Sequence, residues 1–232
     1  MRKNVLEGTK KIYYSVLCSL GTLAISIITI IIGAFATEDS KTALLFLGLL
    51  SGLTLIIALT GFILQIIGCS ECGKEQKMFT YALYAAIAAI VFTALAAIIK
   101  VTFIKNLFDL LGDISSLLIT LLIIRGLMLV FADLNDIEMV NKGRSVLLIF
   151  IIAYAASVVI DFVGGILPLM HITGTAILVL GLIAALIAIV AAVFYFIYLK
   201  QAINHLEFSS FDAVNNNTVI DAEAKEVDRT DE

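Results

Sequence analysis

The sequence predicts an all-α polytopic membrane helix bundle. Three observations carry that expectation. Hydrophobic residues make up 61% of the 232, against roughly 45–50% apolar in a soluble domain. Mean hydropathy is +1.09. Several apolar runs reach the length of about 18 residues or more that reads as a membrane-spanning helix. The runs are continuous, whereas a barrel strand shows about ten residues of alternating character. Backbone polar groups in lipid must be satisfied internally, so helices follow.

Six spans fit: 13–35, 42–67, 79–99, 114–131, 146–167 and 173–199. The organisation is a basic N-terminus (1–12), a membrane domain (13–205) and an acidic tail (206–232). The first span follows Arg2, Lys3, Lys10 and Lys11 and ends in Ala34-Phe35-Ala36. That combination resembles a signal peptide. The apolar run is longer than the roughly 7–15 residues of a signal core, so it reads as a retained anchor.

Basic residues fix the expected orientation. Alternating the six spans places eleven Lys and Arg on one side, from Arg2 to Arg229, and only Lys41, Lys100 and Lys105 on the other. Basic residues are retained on the cytoplasmic side. Both termini are therefore expected inside.

The connection KVTFIKNLFDLLGD (100–113) has amphipathic period. Val101, Phe103, Ile104, Leu107, Phe108, Leu110 and Leu111 share one side; Lys105, Asn106, Asp109 and Asp113 share the other. This predicts a short interfacial helix on the outer face, serving as a surface connector, or as a lid or lipid sensor. The stretch ADLNDIEMVNKGRS (132–145) is expected to prolong span four and to stop at Asn141 and Gly143.

Charge is uneven. The chain up to His205 has thirteen basic and eleven acidic residues, and the tail has two basic and eight acidic, giving −6 there. Such a segment has too little apolar surface to fold alone and reads as disordered. No basic cluster points to nucleic acid.

Candidate sites are few. Cys69 and Cys72 stand C-x-x-C in the turn after span two. A structural zinc site needs four ligands. Cys18, His171 and His205 are the only other cysteine and histidines. A redox dithiol needs a strand–helix context. Ordinary loop cysteines are the simplest reading; metal, redox and lipid attachment remain alternatives. Arg125 and Asp161 lie deepest in the spans, and intramembrane charges are functional candidates by default. Depth along the helices separates them by about 14 Å, so a shared polar cavity is the alternative to separate interface anchors. Gly48 and Gly52, the alanines of span three, and Gly181 with Ala185 are small residues at four-residue spacing, suited to close helix packing or to a homo-oligomer. No catalytic constellation, cofactor motif or phosphate loop is found.

Two resemblances add expectations. The tail piece Val219-Ile220-Asp221-Ala222-Glu223-Ala224-Lys225-Glu226-Val227 resembles the acidic C-terminal tail of bacterial Hsp70 chaperones. Nine residues imply no chaperone activity; they imply a bacterial protein with a cytoplasmic tail. Span two, the turn GCSECGKEQKMF and the alanine-rich span three resemble small uncharacterised multi-pass membrane proteins of bacteria. The expected function is a non-enzymatic regulatory or scaffolding protein of the cytoplasmic membrane, with the lipid bilayer and a cytoplasmic protein as partners. A small transporter or permease component with a cavity near Arg125 and Asp161 is the alternative.

Overall fold

The computed structural model describes residues 3–35, 41–166, 179, 183 and 186–209. Helices α1 (Lys3–Phe35), α2 (Lys41–Gly73), α3 (Lys77–Ile98), α4 (Thr102–Asp133), α5 (Ile137–Ile166) and α6 (Leu186–Ser209) account for them, with no strand among the described residues. All six are long and apolar enough to cross a membrane. The protein is a helical, multi-pass integral membrane protein. Its outward residues, such as Leu45, Leu49, Ile56 and Ile152, are more than 60% exposed, as lipid-facing side chains should be.

Most helices outrun the predicted spans at one end, and packing is the reason. Helix α1 begins ten residues before Tyr13. There Val5, Thr9 and Ile12 recur at helical spacing and are all buried. Helix α2 continues through Cys69 and Cys72 to Gly73, and α6 continues past Leu199 through the buried Ala202 and Leu206. Residues 206–209, assigned to the tail from sequence, are thus helical; the rest of the tail lies outside the described residues.

Two connections differ from expectation. The interfacial helix does not exist as a separate element: 102–113 forms the first three turns of α4. Gly112 is the only weak helix former at the junction. It costs about 1 kcal/mol, and it is buried against Thr93 of α3. The helix therefore runs through. The α4–α5 turn falls at Leu134-Asn135-Asp136 and not at Asn141 and Gly143. Asn135 takes the left-handed conformation (φ 56°), which asparagine tolerates. Asp136 caps α5 by accepting the Met139 N–H at 3.0 Å. Gly143 is an interior residue of α5, where a Cβ would stand 2.7 Å from the Tyr198 hydroxyl oxygen.

Helices pair α1 with α2, α2 with α3, α3 with α4, and α4 with α5. In the first pair, the expected Gly48 and Gly52 contact nothing: a Cβ at either position would find open space. The close approach is made lower down. A Cβ on Gly68 would lie 2.7 Å from the Gly8 carbonyl oxygen, and one on Gly61 would lie 2.8 Å from Cys18 Cβ. Gly181 and Ala185 lie outside the described residues. The alanine stripe on α3 does pack: Ala82, Ala86, Ala89 and Ala96 are buried with Phe79. Phe79 lies against Gly126 of α4.

Candidate functional site: the ion-paired end of the bundle

One contiguous core joins the start of α1, the end of α2, α3, α4, the start of α5 and the end of α6. Six helices with alternating direction bring these ends together. Polar contacts close them. Lys10 Nζ reaches Glu207 Oε1 at 2.6 Å, tying α1 to α6. Lys11 pairs with Glu71, tying α1 to α2. His205 Nδ1 donates to Asp136 Oδ2 at 2.8 Å, tying α6 to the α4–α5 turn. The His205 ring also meets Phe131 edge-on at 6.4 Å. Exposed ion pairs contribute about 0–1 kcal/mol each. Their value here is positional, because each joins a different pair of elements.

The cysteines lie inside this end. Cys69 and Cys72 occupy the last turns of α2 and are 1% and 0% exposed. They are therefore helical and buried, not loop residues. Cys72 Sγ contacts the Val5 carbonyl at 3.6 Å and Thr9 Oγ1 at 3.9 Å. Thr9 itself donates to the Val5 carbonyl at 2.7 Å. Cys72 fills the α1–α2 contact and Cys69 the common core, each as a small, weakly polar hydrophobe. His205, on the same end, is engaged with Asp136 instead. Among the described residues no group of three His, Cys, Asp or Glu could hold a metal ion.

Asp136 and His205 were not legible as a pair, since 69 residues separate them. A carboxylate orienting an imidazole is also found in catalytic sites. Here Ser209, one turn from His205, donates its hydroxyl to the Leu206 carbonyl at 3.2 Å. The Ser209 hydroxyl is thus engaged away from the imidazole. A groove of about 530 Å³ runs beside the pair, lined by Asp133, Asn135, Asn204 and Phe208. Buried Tyr195 and Tyr198 hydroxyls find no partner among the described residues, a cost their aromatic burial must outweigh.

Arg125 and Asp161 are not brought together. Arg125 is exposed and has no ionic or hydrogen-bond partner among the described residues. Its neighbour Gly126 packs under Phe79, two residues from Lys77. Arg125 therefore stands close to the level of the α2–α3 turn, where an arginine can snorkel to the interface. Asp161 lies in α5 twenty-four residues beyond Ile137; its side chain is outside the described residues. Along antiparallel helices the two are about 24 Å apart.

No protein-family model, curated protein or solved structure matches the chain.

Replacing Asp136 by alanine removes both the α5 cap and the α6 tie. The expected cost is about 0.5–2 kcal/mol, read as a lowered unfolding midpoint in detergent. Asp136→Asn keeps an acceptor and is expected to fall close to the parent. Equal losses in the two variants would refute the capping role.

Proposed function

We propose that the protein is a non-enzymatic regulatory or scaffolding component of a bacterial cytoplasmic membrane, with both termini inside. The observation that supports this reading is the double anchorage of α6. Its last turns are held by Lys10–Glu207 and His205–Asp136, immediately before the acidic tail begins. A docking segment gains from departure off a fixed platform, because its effective concentration near membrane partners is then defined. Lys10, Lys11, Lys74, Lys77, Lys142, Arg144 and Lys200 lie on helix ends and turns at this end of the bundle, which supports a cytoplasmic location for it.

The test compares the full chain with one ending at Ser209 and with one whose tail is scrambled at constant charge. Each is purified in mild detergent from the same cells. Cytoplasmic proteins retained by the parent should be lost from both variants. An unchanged set of companions, or transport of solute by the purified protein in vesicles, would overturn the scaffold reading. A reporter fused after Lys200 that is active only outside the cell would overturn the orientation.

A further inference from the structure

A second concavity lies far from the ion-paired end, between α4, α5 and α6. Its volume is about 420 Å³, within the range of ligand pockets of roughly 300–1,000 Å³. Two polar strips face it. Asp113, Ser116 and Thr120 come from α4, and Tyr154 and Ser157 from α5. Asp113 lies twenty residues before the end of α4, and Ser157 twenty residues after the start of α5. Both are thus about 30 Å from the connecting turn, so the strips meet at one level. Leu117, Phe150 and Val158 supply apolar walls, and Ala188 and Ala191 of α6 leave the space open.

Ser157 donates to the Ala153 carbonyl at 3.1 Å, but three other hydroxyls of the groove are not satisfied in this way. Thr9, Thr29, Thr54, Thr60 and Thr93 all donate to the carbonyl four residues back. That is how a hydroxyl satisfies itself in an apolar setting. Ser116, Thr120 and Tyr154 make no hydrogen bond among the described residues and are open to the groove. The strips meet about 30 Å from the connecting turn, near the far edge of a hydrocarbon core about 30 Å thick. That is the depth of lipid headgroups, and these hydroxyls are free to pair with one. Asp113 is the only formally charged residue lining the groove among the described ones. It is already engaged in an interaction, but a carboxylate offers about four acceptor positions.

We propose that this groove binds a phospholipid with a primary-ammonium headgroup. The ammonium donates to Asp113 and to hydroxyl oxygens, the hydroxyls donate to the adjoining phosphate, and an acyl chain lies along Leu117, Phe150 and Val158. A cation is selected by the carboxylate. A primary ammonium is selected over a quaternary one because only it carries N–H donors for the unsatisfied oxygens.

The test is native mass spectrometry of the full chain from mixed micelles holding equal phosphatidylethanolamine, phosphatidylcholine and phosphatidylglycerol. Retention of phosphatidylethanolamine over the other two by about tenfold is expected, the worth of one or two charge-assisted hydrogen bonds. Ser116→Ala with Thr120→Val and Tyr154→Phe should abolish the preference. Tyr154→Phe alone, which keeps the ring, should reduce it. Thr60→Val, which removes a self-satisfied hydroxyl on α2, should not. Equal retention of the three lipids, or a preference surviving the triple change, would overturn the proposal. Displacement of the lipid by free ethanolamine would assign the groove to a soluble amine and overturn it too.

Discussion

Gly68→Ala is expected to destabilise the bundle by about 1–3 kcal/mol, the usual cost of overpacking a fitted contact. The added methyl would stand 2.7 Å from the Gly8 carbonyl and 2.7 Å from Ile12 Cγ1. The carbonyl is main chain and cannot rotate away, so α1 must lift from α2. The same change at Gly48 is the control. No atom lies within 4 Å of a Cβ there, and alanine exceeds glycine in helix propensity by up to ~1 kcal/mol. Gly48→Ala should therefore be neutral or favourable. Chemical unfolding of both variants in one detergent reads the difference. Matching effects would mean that the α1–α2 contact is not set at Gly68.

Phe79→Ala is expected to cost about 3–5 kcal/mol, the range for emptying a buried aromatic site. Phe79 is fully buried, and its ring atoms would lie 2.8–3.1 Å from a Cβ on Gly126. The two positions therefore share one volume. Gly126→Leu alone should be destabilising because the ring is in the way. Introduced together with Phe79→Ala, it should recover part of the loss, since the new side chain enters the vacated space. A double-mutant cycle measures this coupling. Strict additivity would show that the ring and the glycine do not share that space.

Apolar runs made the six spans legible, because lipid imposes length and composition on each helix. Their true ends were not legible, because contacts beyond the membrane decide them. Val5, Thr9 and Ile12 look like a polar approach to span one, yet they are helical because α2 covers them. Cys69 and Cys72 share a spacing with metal ligands, and nothing local reveals that both are buried and that Cys72 meets α1. The α4–α5 turn did leave a sign. Asn135-Asp136 combines a residue tolerant of positive φ with a helix cap, and it competed with the weaker pair Asn141 and Gly143. The α1–α2 seam left one as well. Gly61 and Gly68 are seven residues apart, as are Gly8 and Ser15, which puts each pair on one helix face. A search at four-residue spacing selects Gly48 and Gly52 instead. The partners of the ion-paired end were hidden for a different reason. Lys10 and Glu207 sit almost two hundred residues apart, and their meeting depends on the path of every intervening helix.

That meeting bears on how the molecule is made. Synthesis delivers α1 well before α6, and the two touch through Lys10–Glu207 and the stacked rings of Tyr13 and Phe196, 4.7 Å apart. Asp136 also waits for His205. The first five helices thus enter the membrane with their common end unfinished. These contacts are completed only when α6 arrives against α1 and the α4–α5 turn. A chain stalled before Leu186 therefore carries unmet partners on α1, at Lys10 and Tyr13, and in the α4–α5 turn, at Asp136.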